Sequence, residues 1–194
     1  CYDIGLYSHK CRGDMVFDDG FTSGTMKFVE NPNGSILVDK LDNIKLKGVK
    51  VLKIDVGGSE ARVLAGARNI IDLFRPIIIF ESDNPFNVKK HSDQYISRAE
   101  KTLEPYHILS NRGYKFFRPV WNVPFFHKHI QRPGNFALFP PKEGPTYETD
   151  GVRLVLIEFA VDERMTISEK INCIAIHEDE MDEFRSRFEE RSRV

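Results

Sequence analysis

The stretch that decides the fold is Val51-Leu52-Lys53-Ile54-Asp55-Val56-Gly57-Gly58-Ser59, an apolar strand pattern that ends in glycines and a helix-capping residue type. From Val63 to Phe74, apolar residues recur at the 3.6-residue spacing of one helix face, which predicts a helix over residues 59–73. After Pro76, the run Ile77-Ile78-Ile79-Phe80 shows no alternation and predicts a strand buried on both faces. Residues 51–80 are therefore predicted to form a βαβ unit with a right-handed crossover.

The rest of the chain shows weaker patterns. Residues 1–48 contain short apolar runs separated by Gly, Asp, Asn and Pro, which predicts short strands and turns. A second helix is predicted from Ser92 or Asp93, with Pro105 ending or kinking it and Gly113 closing the segment. The remaining predictions are a hairpin of residues 114–118 and 135–139, a linker at 140–151, strands at 152–161 and 174–176, and a charged helix at 178–193.

Composition limits the class of protein. The 194 residues carry 28 Lys and Arg against 29 Asp and Glu, a net charge of −1, and 41% are hydrophobic. This is ordinary for a globular domain and gives no strong nucleic-acid signal, because nucleic-acid-binding domains are usually strongly basic. The three cysteines include no CxxC pair, which favours a reducing compartment and indicates neither a disulfide framework nor a cysteine zinc site. The absence of an apolar stretch of about 18 residues predicts no membrane span.

Candidate site residues follow the two predicted strands. Ligands of open α/β sheets bind at the carboxyl ends of the strands, where Asp55, Gly57 and Gly58 lie after the first strand and Glu81 after the second. Lys53 leaves the same strand face as Asp55, so this pair is a candidate to position or deprotonate a hydroxyl. The alternative is structural: Asp55 and the following serine satisfy backbone donors at the helix start, and the glycines form only a turn.

The same residues resemble the central signature of the FkbM family of methyltransferases. The family pattern has a strand ending in K-I/M-D-V/I-E-G, a helix that begins with Glu and reaches V-L-x-G-A, and R-P before an apolar strand ending in Glu. Here these parts are 51–60, Val63-Leu64-Ala65-Gly66-Ala67 and Arg75-Pro76-Ile77-Ile78-Ile79-Phe80-Glu81. Residues 40–44, which include Asp42, and 135–140 also resemble family segments, so the resemblance covers about residues 1–140.

The resemblance implies a class I, Rossmann-like methyltransferase sheet with helices on both faces. It implies S-adenosylmethionine as cofactor and O-methylation of a small-molecule or glycan hydroxyl. Catalytic roles are expected for Asp55, Lys53 and Glu81, cofactor contacts for Asp55, Gly57 and Gly58, and no metal site is assigned. We expect residues 1–140 to be the C-terminal part of the domain, lacking its N-terminal cofactor loop, and residues 141–194 to be a linker and a strand-helix extension.

One departure from the pattern leaves a second hypothesis open. Gly57 stands where the family usually has Glu, which removes a carboxylate from the crevice. On this second hypothesis, the chain is a non-catalytic Rossmann-like binding or interaction module derived from the family. A third hypothesis, a nucleic-acid-modifying methyltransferase, would use the same pair, Lys53 and Asp55. Elsewhere, His127 and His129 could supply two metal ligands, but no third ligand is in register.

Overall fold

The computed structural model describes residues 2–17, 26–82, 93–122, 142–149, 152–167 and 170–190. Its strands are β1 Gly5–Leu6, β2 Cys11–Phe17, β3 Met26–Glu30, β4 Ile36–Asp39, β5 Val51–Ile54, β6 Ile77–Ser82, β7 Tyr114–Asn122, β8 Lys142–Thr149, β9 Val152–Phe159 and β10 Ile171–His177. Its helices are α1 Glu60–Ala65, α2 Arg68–Phe74, α3 Asp93–Ser110 and α4 Met181–Glu190. Short 3-10 helices lie at Leu41–Asn43, Asp162–Thr166 and Glu178–Glu180. The described residues thus form a mixed α/β structure.

The larger of two sheets has six strands in the order β5-β6-β10-β7-β9-β8. β5 and β6 are parallel, and α1 and α2 connect them, so the predicted βαβ unit is present. β10 is antiparallel to both β6 and β7, and β9 is antiparallel to β7 and β8. The sheet is therefore mixed, with its parallel pair at one side.

The predicted single helix over residues 59–73 is divided into α1 and α2 at Gly66. The Gly66 carbonyl accepts a hydrogen bond from the Asp42 backbone N–H at 3.0 Å, and a Cβ on Gly66 would lie 2.0 Å from the Tyr7 carbonyl oxygen. The backbone after β1 thus packs directly on the helix junction. The 3.6-residue pattern could not show this break, because it continues through both helices.

Side chains alternate between two faces of the six-stranded sheet. Ile78, Phe80 and Cys173 belong to the main core, which α1, α2 and α3 cover. A second, smaller core on the other face is built on Phe117 and is packed by Met181 and further residues of α4, together with apolar residues of β6, β9 and β10. The run at β6 is thus fully buried on one face and only half-buried on the other, which corrects the expectation of two equally buried faces.

The smaller sheet has four strands in the order β1-β4-β2-β3, which confirms the short strands predicted for the described part of residues 1–48. The turn between β3 and β4 is held by Asp14, whose carboxylate accepts from the Ser35 backbone N–H at 2.9 Å and from Asn31 Nδ2 at 2.8 Å. These bonds lower the pKa of Asp14. The turn at residues 31–35 is thus fixed by an aspartate from β2.

Several predictions beyond residue 92 differ from the structure. The predicted hairpin is wrong, because both edges of β7 are taken by β9 and β10; residues 135–139 themselves lie outside the described residues. Lys142–Thr149, expected to be linker, forms β8. α3 continues through Pro105 to Ser110, and Gly113 then turns the chain with a φ of +78°.

The strand predicted as weak at residues 174–176 is β10, seven residues long, between β6 and β7. The domain boundary at residue 140 stays a prediction, and the larger sheet contains strands from both sides of it. No helix within the described residues is long and apolar enough to cross a membrane.

Candidate functional site

The carboxyl ends of β5 and β6 bring the predicted acidic residues to one edge of the sheet. The register pairs Ile54 with Phe80, so Asp55 and Glu81 occupy the next positions on neighbouring parallel strands. Both follow residues whose side chains enter the main core, so both leave from the opposite face. Asp83 and Asn84, which also follow β6, lie outside the described residues.

Asp55 is paired with Lys53 on the same strand face. Lys53 Nζ donates to Asp55 Oδ2 at 2.9 Å, and the two side chains remain 62% and 54% exposed. The hydrogen bond from Lys53 and its positive charge lower the pKa of Asp55, and the charge of Lys170 adds to this effect. Asp55 is therefore ionised at neutral pH and is a weak base, which suits it to accept a hydrogen bond from a hydroxyl.

Glu81 forms a second ion pair, with a residue that sequence reasoning missed. Lys170 Nζ lies 2.7 Å from Glu81 Oε2, and Lys170 directly precedes β10. Because its charge also acts on Asp55, the structure places two ammonium groups and two carboxylates along one edge. Lys170 is 89 residues from Glu81 in sequence, and only the insertion of β10 beside β6 brings it there.

The glycine loop after β5 is open on one side. Gly57 and Gly58 both have positive φ, +60° and +93°, a conformation that favours glycine. A Cβ on Gly57 would lie 3.0 Å from the Met26 carbonyl oxygen, whereas nothing lies within 4 Å of a Cβ on Gly58. A ligand can therefore approach the backbone closely at Gly58.

Glu60, and not Asp55 or Ser59, organises this loop. Glu60 Oε1 accepts from the backbone N–H of Gly58 at 3.1 Å and of Val56 at 3.4 Å, and Glu60 is buried. Ser59 makes no side-chain cap hydrogen bond. The structural alternative for Asp55 is thus unsupported among the described contacts, since its carboxylate accepts from Lys53.

Asp42 has a structural position. Its carboxylate accepts from the backbone N–H groups of Asn69 at 3.1 Å and Ile70 at 3.0 Å in the first turn of α2. It thereby satisfies two donors that a helix start leaves without intrahelical partners. The match of Asp42 to the family segment is explained by this capping role.

A buried arginine supports the end of β6. Arg164 is fully buried; its Nε donates to Ser82 Oγ at 2.8 Å and its Nη2 to the Ser82 carbonyl oxygen at 3.1 Å. Its Nη1 donates to the Ile167 carbonyl oxygen at 2.7 Å. The residue next to Glu81 is thus held by a guanidinium, a contact between distant segments that no local pattern predicts.

A cleft of about 450 Å³ lies at the opposite end of the larger sheet, lined among others by Arg75, Arg112 and His177. Its two arginines are paired, Arg75 with Asp179 at 2.7 Å and Arg112 with Asp72 at 3.0 Å. Because Arg75 precedes β6, the cleft lies at the amino end of that strand and is separate from the carboxyl edge that carries Asp55.

Comparison with known protein families gives one match. Residues 33–116 match the family model described as Methyltransferase FkbM domain. The FkbM match includes β5, α1, α2 and β6, and with them Lys53, Asp55 and Glu81, so it confirms the predicted resemblance over these residues. It suggests methyltransferase activity and covers less than half of the chain. No curated protein and no solved structure matches the chain.

Proposed function

We propose that the full-length protein is an S-adenosylmethionine-dependent O-methyltransferase of the FkbM type, acting on a hydroxyl of a small molecule or glycan. The observation that carries the proposal is the coincidence of the FkbM match with a partly exposed charged edge at the carboxyl ends of two parallel strands, where Asp55 pairs with Lys53 and Glu81 with Lys170. That position is where open α/β sheets bind ligands. The Rossmann-like assignment of the larger sheet and its membership of class I are part of the proposal.

The proposed reaction requires few protein groups. The cofactor supplies an activated methyl group, so the chain must orient the acceptor oxygen and accept its proton. Asp55 accepts the hydrogen bond of the acceptor hydroxyl, and Lys53 holds the carboxylate in place. Glu81 on the neighbouring strand β6 and Lys170 just before β10 supply a second carboxylate and a second ammonium group beside Asp55. Because the pKa of Asp55 is lowered, its carboxylate orients the hydroxyl beforehand and accepts the proton only as the oxygen is methylated, when the hydroxyl becomes acidic.

The described residues fit the polar part of the cofactor. The open backbone at Gly58 allows close approach, and ammonium and carboxylate groups lie side by side on the edge, which suits the zwitterionic amino acid end of S-adenosylmethionine. Asp55, Gly57 and Gly58 would hold that end. An adenine ring needs apolar surface, and these residues, being glycine or charged, offer little of it.

The test is transfer of labelled methyl groups by the full-length gene product to a panel of small-molecule and glycan hydroxyls. Asp55→Asn should lower kcat/KM by about 10²–10⁴-fold, the usual contribution of a positioned acid-base group, without changing the melting temperature. Asp182→Asn, on the exposed part of α4, is the matched control and should retain activity. Full activity of Asp55→Asn would remove Asp55 from the site, and transfer only to RNA would refute the acceptor class.

A second candidate function is a non-catalytic binding module, which the loop at Gly57 favours. With φ at +60° and the Met26 carbonyl 3.0 Å from the Cβ position, this loop conformation disfavours the glutamate usual in the family. Calorimetric titration of the full-length product with S-adenosylmethionine separates the two candidates. Detectable binding supports the enzyme, whereas its absence supports the module.

A further inference from the structure

Three potential metal ligands meet on the smaller sheet, in the part of the chain that precedes the residues matched by the family model. His9 precedes β2, Cys11 is its first residue, and Glu30 is the last residue of β3. The ligand atoms, a His9 ring nitrogen, Cys11 Sγ and a Glu30 carboxylate oxygen, all lie within 4.8 Å of one another. His9 Nε2 and Glu30 Oε2 are 3.3 Å apart.

The strand register explains why these residues converge. Alternate residues of a strand share a face, so the Cys11 side chain lies on the same face of β2 as position 13, and His9, in the bend just before β2, contacts Glu30 directly. Gly13 pairs with Glu30 on the neighbouring strand, which brings the glutamate to that face. Sequence reasoning missed the group, because the residues lack a CxxC spacing and the third ligand is 19 residues beyond Cys11.

The distances suit a tetrahedral ion. With zinc–nitrogen and zinc–oxygen bonds of about 2.0–2.1 Å and zinc–sulfur bonds of about 2.3 Å, neighbouring ligand atoms of a tetrahedron lie about 3.3–3.6 Å apart. The His9–Glu30 separation of 3.3 Å already has this value, and Cys11 Sγ lies within 4.8 Å of both other ligand atoms. Thiolate and imidazole select zinc-type transition ions over Mg²⁺ or Ca²⁺, which prefer oxygen ligands.

The surroundings of His9 favour ligation through Nε2. Ser8 Oγ lies 3.1 Å from His9 Nδ1, so with Nε2 on the metal, Nδ1 carries the proton and donates to the serine. The Tyr7 ring lies 5.5 Å from the His9 ring and 5.2 Å from the Phe28 ring, measured between centroids. A ligand with an oriented ring, an outer hydrogen bond and aromatic neighbours has the second layer of contacts typical of metal sites.

We propose that His9, Cys11 and Glu30 bind one Zn²⁺ ion, through Nε2, Sγ and a carboxylate oxygen, with water at the fourth position. Binding forms the zinc–sulfur bond and releases the thiol proton to solvent, so the cation supplies the positive charge that the thiolate requires. The site is independent of the proposed methyl transfer.

The experiment is titration of the full chain with ZnCl₂ alone, followed by calorimetry, and with CoCl₂, followed by absorption. We expect one equivalent of zinc that depends on the three residues, and a thiolate-to-cobalt charge-transfer band. Cys11→Ser and Glu30→Gln should weaken this equivalent by more than the roughly 10–100-fold lost when outer-shell partners are removed. His107→Ala, an exposed histidine on α3, is the matched control and should leave stoichiometry and band unchanged.

Thermal unfolding gives a second readout. Zinc at about 100 times its Kd should raise the melting temperature of the wild type by roughly 5–10 °C, and this rise should vanish in Cys11→Ser. Circular dichroism of the metal-free variants checks that they fold. A cobalt spectrum without a thiolate band, or zinc stoichiometry and affinity unchanged in both variants, overturns the site and leaves only a His9–Glu30 hydrogen bond beside a thiol.

Discussion

Gly66→Ala tests the packing at the centre of the family motif. An ideal Cβ at this position lies 2.0 Å from the Tyr7 carbonyl oxygen, 3.0 Å from the Tyr7 carbonyl carbon and 3.3 Å from Ser8 Cα. All three are backbone atoms, so no side-chain rotation relieves the contact. The Tyr7 N–H also donates to the Asp39 carbonyl oxygen at 2.9 Å, which holds this segment beside β4.

The size of the effect follows from these distances. Non-bonded carbon and oxygen atoms approach to about 3.5 Å, so the backbone at Tyr7 or the junction of α1 and α2 must move by more than 1 Å or so. Overpacking of this kind costs about 1–3 kcal/mol, against which the lower entropy of the unfolded alanine chain returns about 0.4–1 kcal/mol. We expect Gly66→Ala to lower the free energy of unfolding by about 1–2 kcal/mol, or the melting temperature by roughly 2–8 °C.

Urea unfolding followed by circular dichroism measures this loss. Gly48→Ala is the control, because nothing lies within 4 Å of a Cβ at Gly48. The control should have the stability of the wild type or slightly more. Equal midpoints for Gly66→Ala and Gly48→Ala would refute the packing of the Tyr7 backbone on the helix junction, and with it the physical reason for the glycine in V-L-A-G-A.

Three further predictions concern the residues that hold the scaffold. Asp42→Ala should destabilise the protein by about 0.5–2 kcal/mol in urea unfolding, and Asp42→Asn, which keeps one acceptor oxygen, by less. Ser82→Ala should cost about 1–3 kcal/mol in the same assay, because it removes the acceptor of the buried Arg164 Nε. The pKa of Asp14 is lower in the folded than in the unfolded protein, since the Ser35 backbone N–H favours the carboxylate; its stabilisation is therefore present above about pH 4 and is lost as pH falls through the folded pKa. Acid titration of Asp14→Asn should show a smaller loss of stability below pH 4 or so than the wild type shows.

Local sequence patterns predicted the elements that local physics determines. The strand at β5, the helical period after it and the apolar run at β6 all lie as expected, because each depends on neighbours within about ten residues. The break at Gly66 was missed because a distant backbone segment, at Tyr7, causes it. The pairing of β7 was predicted wrongly because sequence order favours a hairpin with the next strand, whereas β10 enters between β6 and β7 from far along the chain.

The sequence predicted the two carboxylates of the candidate site but only one of their two cationic partners. Asp55 and Glu81 share an edge because parallel strands end together, a consequence of topology that the sequence carries. Their cationic partners differ in this respect: Lys53 is two residues from Asp55 and was named, whereas Lys170 depends on the tertiary placement of β10. In the structural alternative, Asp55 and Ser59 would satisfy the loop donors, but the buried Glu60 performs this role.

Packing accounts for most of the residues that define the family motif. The structural residues of the motif can therefore be distinguished from its candidate functional residues. Val63 and Leu64 are buried in the main core, Gly66 admits the Tyr7 backbone, and Glu60 holds the loop amides. Lys53 and Asp55 are different, because a solvent-exposed ion pair contributes little to stability and no core contact requires it. An exposed charged pair at the carboxyl edge of a sheet, within a segment otherwise explained by packing, is therefore the part of the motif that folding does not require, and its expected role is in binding or catalysis. A variant such as Asp55→Asn that removes methyl transfer at unchanged stability would establish that division directly.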